Sequence, residues 1–240
     1  MAKGIFVTGT DTGVGKTIVA ATLARLLADR GLDVGVMKPV TSGCTLSGNE
    51  RVSEDAELLR YGSFSADEPD LCAPYILEAP LAPSVAAARE GVTIDIGLIR
   101  NRYEELARRH DVVIVEGAGG LMVPLAGGLL VADLILALKL PVVVVARPNL
   151  GTVNHTVLTT FAARQMGIEV KGVIINGYPE NPGEAEQYAA HVIGSLSGSP
   201  VLGVFPAIAS DDPREIVDDL SAYLQQEPVT RIMIRELGFE

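Results

Sequence analysis

The stretch Gly9-Thr10-Asp11-Thr12-Gly13-Val14-Gly15-Lys16-Thr17 constrains this chain more than any other feature. It lies between the apolar run Gly4 to Val7 and a segment in which Ile18, Val19, Leu23, Leu26 and Leu27 recur at helical spacing. A glycine-rich turn from strand into helix lets backbone N–H groups face an anion, and the helix N-terminus adds positive potential. Lys16 then reaches the β/γ oxygens of a triphosphate, and the Thr17 hydroxyl can ligate Mg²⁺. Gly13, Val14, Gly15, Lys16 and Thr17 are assigned to nucleotide binding on this ground. The common spacing puts a glycine five positions before Gly15; this chain has Thr10 there, with Gly9 one residue further back. The bland alternative, a glycine-rich turn with a surface lysine, does not account for strand, helix and Gly-Lys-Thr triplet together.

Beyond the loop, short β-branched runs alternate with helical patterns, which is the pattern of a mostly parallel central sheet with helices on both faces. The clearest strands are Gly4 to Val7, Val34 to Met37, Val112 to Val115, Pro141 to Ala146, Gly172 to Ile175 and Val201 to Phe205. The first helix is expected to close at Gly31 as C-cap. A second runs from Asp95 to Arg109, and others follow Val131, Thr156, Asn181 and Pro213. With 240 residues, the expectation is a single P-loop α/β domain over 1–240. Gly43 to Gly91 fits the repeat least; it is long and proline-punctuated, and such insertions often carry substrate contacts. The tail from Glu227 to Glu240 reads as either an edge strand or a helix packed on a neighbour.

Composition narrows the function. No apolar run reaches the ~18 residues of a bilayer span, and Met1-Ala2-Lys3-Gly4 opens no signal peptide, so a cytoplasmic protein is expected. Cys44 and Cys72, both placed in loops, form neither a disulfide framework nor a metal spacing. A net charge of -11 disfavours nucleic acid and anionic membranes as partners.

In an open parallel sheet, ligands bind outside the carboxyl ends of the strands. The residues there are Thr8-Gly9, Lys38, Glu116, Arg147 and Asn176. Glu116, after Val112 to Val115, stands where a magnesium-side acid is wanted; Asp55 is a second such acid, although Ser53 as an N-cap also explains an acid in a first helical turn. Lys38 could neutralise charge on a transferred phosphoryl group, or be a solvated lysine at a strand exit. Asn176 can pair with an adenine edge, and the run Asn176-Gly177-Tyr178-Pro179 lacks the Asn-Lys-x-Asp of guanine readers. Pro206, just past the last strand, is counted with the ATP-binding residues. His155 is read as a cap or packing residue.

Together, Gly9 to Thr17, Lys38-Pro39-Val40-Thr41-Ser42-Gly43, Glu116-Gly117-Ala118-Gly119-Gly120 and Gly151-Thr152-Val153-Asn154-His155 resemble the dethiobiotin synthetases of biotin biosynthesis, in the right order from Gly4 to about Phe205. The longer loop spacing is itself a feature of that family. The resemblance implies an ATP-dependent cyclo-ligase that converts 7,8-diaminononanoate, CO₂ and ATP to dethiobiotin, ADP and phosphate, through a carbamate and a carbamic-phosphoric mixed anhydride. It implies that Lys16 and Lys38 hold phosphate and carbamate oxygens, that Thr12 and Ser42 add hydroxyl bonds, and that Thr17, Asp55 and Glu116 bind Mg²⁺. It further implies a homodimer in which Asn154 and Tyr188 touch the substrate of the neighbouring subunit. Gly13 departs from relatives that carry an acid at that position. The rivals are a partitioning or regulatory ATPase, which needs a signature lysine near Asp11, and a small-molecule kinase. A glutamine-dependent amidoligase would need a further domain.

Overall fold

Alternation along the strands divides the core into two layers. Ile5, Val7, Val112, Ile114, Val143 and Val145 pack into one apolar cluster, while Phe6, Val113, Val115, Val142 and Val144 pack into the other. A strand whose successive side chains point to opposite faces, both apolar, must be covered on both sides. The computed structural model describes residues 3–48 and 50–239, so Met1 and Ala2 of the signal-peptide reading, and Glu240 of the tail, lie outside it.

The first part contains β1 (Lys3–Gly9), α1 (Lys16–Ala28), β2 (Val34–Met37), β3 (Val40–Ser42), β4 (Thr45–Ser47), β5 (Glu50–Val52), α2 (Glu54–Ser63), α3 (Pro69–Cys72), β6 (Tyr75–Leu77) and α4 (Pro83–Glu90). Next come α5 (Ile96–Arg109), β7 (Val112–Gly120), β8 (Pro124–Ala126), β9 (Leu129–Leu130), α6 (Val131–Leu138), β10 (Val142–Ala146) and α7 (Thr152–Gln165). Then follow β11 (Val170–Tyr178), α8 (Glu184–Leu196), β12 (Val201–Pro206), α9 (Pro213–Gln226) and α10 (Pro228–Leu237). Six strands pair in parallel in the order β12-β11-β10-β1-β7-β2. Buried residues of α1, α2, α9 and α10 join one apolar layer, and those of α4, α5, α6, α7 and α8 join the other. With β7 on one side of β1 and β10 on the other, the chain reverses direction across β1, and a crevice opens at its carboxyl end.

Several boundaries differ from the sequence reading. The first helix ends at Ala28 with Asp29 as its cap; Arg30 and Gly31 then donate to Leu27 and Ala28 in a tightened turn, and Gly31 supplies the left-handed residue at φ 86°. The helix expected after Thr156 starts at Thr152, because Gly151 at φ 94° turns the chain in earlier than the β-branched sequence suggests. Glu116 lies within β7, opposite Val7, since pairing with β1 runs on through the glycines. Asn176 likewise sits inside β11. Cys72 closes a short helix instead of lying in a loop, and burial pushes its thiol up to about 12, which leaves it unreactive. The tail is the helix α10, packed on its own chain: Met233, Ile234 and Leu237 are buried, whereas Ile232 faces outward. Among the described residues no helix is long and apolar enough to cross a membrane.

Candidate active site

A cavity of about 870 Å³ lies at the carboxyl end of β1. Thr12, Gly13, Gly15, Lys16 and Thr17 border it from the loop, Lys38 and Ser42 from the β2 and β3 side, Asp55 from α2 and Glu116 from β7. Gly13 (φ 74°) and Gly15 (φ 86°) are both left-handed, a conformation glycine adopts without strain. A Cβ on Gly15 would lie 2.1 Å from Nδ2 of Asn176. Gly15→Ala should therefore weaken ATP binding at least about tenfold, equivalent to roughly 1–3 kcal/mol of backbone strain. Equilibrium titration with a fluorescent ATP analogue measures this; unchanged affinity would contradict the loop assignment.

Four ionisable groups form the centre. The ammonium of Lys38, 4% exposed, donates to Glu116 Oε1 at 2.7 Å and to the Gly117 carbonyl at 3.3 Å, and pairs with Asp55 Oδ2 at 2.7 Å. These three acceptors use all three of its protons. Burial opposes its charge, but Glu116 and Asp55 more than offset this and hold the ammonium above the usual lysine range. Lys16, whose Nζ donates to the Asp11 carbonyl at 3.3 Å, is held below that range by burial. Burial also works against ionised Asp55, yet Lys38 and the Thr17 hydroxyl pull its carboxyl down. For Glu116, burial pushes the carboxyl up and neighbouring Asp55 adds to this, with Lys38 pulling the other way.

These residues fit Mg²⁺ on the chemistry of their donors. Thr17 Oγ1 lies 3.0 Å from Asp55 Oδ1 and 2.9 Å from Glu116 Oε1, so one hydroxyl proton faces two carboxylates. Glu116 Oε2 is buried with no hydrogen-bond partner among the described residues. A hydroxyl, two carboxylates and an orphaned carboxylate oxygen form a hard-oxygen set of the kind Mg²⁺ takes, together with phosphate oxygens and water. Ser53, the N-cap of α2, accepts from the Ala56 N–H at 3.1 Å, so capping and presentation of Asp55 coexist.

Other expected residues lie apart. Val14 is buried in the core, and its carbonyl accepts from Asn176 Nδ2 at 3.2 Å. Neither Asn176 nor Pro206 borders the cavity. Asn176 instead backs the loop, and Pro206 pairs with Tyr178 at the end of β12. Asn154 and Tyr188 border a second cavity of about 580 Å³ between α7 and α8. Arg147 lies 3.9 Å from Asp11 Oδ2, and His155, fourth in α7, has a buried Nδ1 without a partner among the described residues. Sequence reasoning missed the wall formed by Pro80, Leu81, Ala82 and Pro83. Its only signal was the proline punctuation of the Gly43 to Gly91 segment.

The fold and this loop-centred cavity define the chain as a P-loop nucleotide-binding α/β protein, and residues 3–214 match the AAA domain family. The MinC:MinD cell division protein complex of Aquifex aeolicus shares the fold, with a TM-score of 0.61 at 17% identity over 99% of this chain and 95% of that one. The chain is 47% identical over 214 residues to the ATP-dependent dethiobiotin synthetase BioD of Bacillus licheniformis, covering 89% of this chain and 90% of that protein. Against the BioD of Bacillus velezensis it is 41% identical over 228 residues, covering 92% and 97%. It belongs to the ATP-dependent dethiobiotin synthetase family, as its motifs imply.

Proposed function

We propose that the chain, acting as one domain, is a cytoplasmic ATP-dependent cyclo-ligase of biotin biosynthesis that makes dethiobiotin from 7,8-diaminononanoate, CO₂ and ATP. The observation that carries this reading is the convergence of Lys16, Lys38, Thr17, Asp55 and Glu116 on one cavity. One amine of the substrate attacks CO₂ and loses a proton, giving a carbamate anion. A carbamate oxygen attacks the γ-phosphorus, and the bond to ADP breaks. The second amine attacks the carbonyl carbon of the mixed anhydride; phosphate leaves, a proton is lost and the ureido ring closes.

The chain's task in these steps is charge and position. A carbamate and a triphosphate repel each other, and two lysines in a partly enclosed site offset that repulsion where it is strongest. Lys38, on the acceptor side, exchanges one of its present acceptors for a carbamate oxygen; Lys16, on the loop, holds the γ-phosphate, and Thr12 and Ser42 orient the reacting end. Thr17, Asp55 and Glu116 would hold Mg²⁺, which supplies neutralisation of the β/γ oxygens when bound. Asn176 and Pro206 are assigned to the adenine end, Gly13, Val14 and Gly15 to the phosphates. Leu150, Tyr188 and Leu196, from 61% to 87% exposed beside the second cavity, support a homodimer in which Asn154 and Tyr188 serve the partner's substrate. A partitioning ATPase would need a cation where Asp11 stands, and the Asp11 carboxylate instead accepts from the Thr12 N–H at 2.7 Å.

ADP release in the presence of ATP, Mg²⁺, bicarbonate and 7,8-diaminononanoate, with each omitted in turn, tests the reading. The rate should require all four. ADP release that ignores the diamine would remove the synthetase reading and leave a nucleotide hydrolase or kinase.

A further inference from the structure

The wall of the cavity formed by Pro80 to Pro83 has no secondary structure of its own until Pro83 begins α4. One side chain ties the turn that leads into it. Oε1 of Glu90, the last residue of α4, accepts from the backbone N–H of Glu78 at 2.9 Å and of Ala79 at 3.1 Å, the two residues that lead from β6 into the wall. Its second oxygen pairs with Arg51 Nη1 at 2.8 Å. Arg51, from β5, also donates to the Ile76 carbonyl and to Glu78 Oε1. The N–H of Ala79, foremost, holds the Glu90 carboxyl below the usual range, so both acceptor oxygens stay available at neutral pH.

The clamp reaches the reacting end of the cavity by a short path. Ser42 pairs with Leu77 in the small β3–β6 sheet, and Gly43 and Cys44 both donate to the Leu77 carbonyl. Pro80 packs so closely on Gly43, itself at φ 80°, that a Cβ there would lie 3.0 Å from the Pro80 Cβ. A shift of the Glu78–Ala79 turn therefore moves the wall and the strand carrying Ser42 together, while the phosphate loop, on β1 and α1, is untouched. Removing Glu90 would leave two backbone donors without their acceptor.

We propose that Glu90 is a positioning residue for the acceptor subsite: it fixes the Pro80–Pro83 wall and Ser42 against the phosphoryl acceptor without contributing to nucleotide binding. This rests on the proposed function, in which the acceptor lies on the Lys38 and Ser42 side. Glu90→Ala should raise KM for 7,8-diaminononanoate about tenfold, the scale of two lost hydrogen bonds, while ATP affinity, measured separately with a fluorescent ATP analogue, stays within about twofold. Glu90→Gln keeps an Oε1 acceptor for both N–H groups and loses only the charge pairing with Arg51, so it should restore most of the lost KM. Hydrogen exchange should quicken at residues 78–82 in the alanine variant and not in the phosphate loop. If the wild type turns over the diamine and Glu90→Ala leaves its KM unchanged, or weakens ATP binding in parallel, the positioning role is wrong and the activity stands. If the wild type releases no ADP in response to the diamine, the acceptor assignment falls and takes this role with it.

Discussion

Alanine at Lys38 lowers turnover at least about 10²-fold, the scale of losing a charge-stabilising group in a preorganised site. Lys38 stands on β2's exit, not on the phosphate loop, and its ammonium is spent entirely on Glu116, Asp55 and the Gly117 carbonyl. A lysine with only a structural role would also be missed, because its removal leaves Glu116, 1% exposed, without its close cation. Breaking a buried pair from one side costs about 3–5 kcal/mol, so a drop in thermal stability is expected as well. Lys38→Met combined with Glu116→Gln, which removes the stranded charge, should recover the lost thermal stability; turnover is not compared in that variant, because Glu116 is itself a magnesium-side acid. Near-normal turnover in correctly folded Lys38→Ala would refute the role.

Lys16→Ala produces the second large loss, again at least about 10²-fold, through failure to hold the γ-phosphate during transfer. The difference from Lys38 lies in what else changes. Lys16 makes one long bond, to the Asp11 carbonyl, so its loss should leave thermal stability nearly intact while ATP affinity and turnover both fall. Its pH behaviour follows from burial, which lowers its pKa: Lys16 sheds its proton at a lower pH than an ordinary lysine. Activity should accordingly decline on the alkaline side before surface lysines titrate, and a pH profile of kcat/KM for ATP measures that limb. Retained kcat/KM in Lys16→Ala would contradict the loop chemistry.

Much of the fold is legible in the sequence because its strands are short β-branched runs with no competing reading. Val34 to Met37 is found at those bounds, and β10 and β12 differ from expectation by one residue at one end. Glycine-rich continuations were not legible: β7 runs through Glu116 to Gly120 because β1 offers pairing there, and nothing local to Gly117-Ala118-Gly119-Gly120 announces a strand. Nor does sequence give strand order. That β7 sits between β1 and β2 is a tertiary fact, and it explains how Lys38 and Glu116, 78 residues apart, come within 2.7 Å. The loop and its two carboxylates could be read from strand-end logic, whereas the Pro80–Pro83 wall could not, since its place depends on Glu90 capturing a turn 11 and 12 residues away. The Asn176 amide also bonds the back of the loop at Val14, a contact no spacing rule suggests.

A crystal structure with Mg²⁺ and a non-hydrolysable ATP analogue measures the central claim most directly. The γ-phosphate is expected against Lys16, the metal against Thr17, Asp55 and Glu116, and Lys38 on the open acceptor side of the same cavity. A nucleotide bound elsewhere, or a metal that engages neither carboxylate, would contradict it.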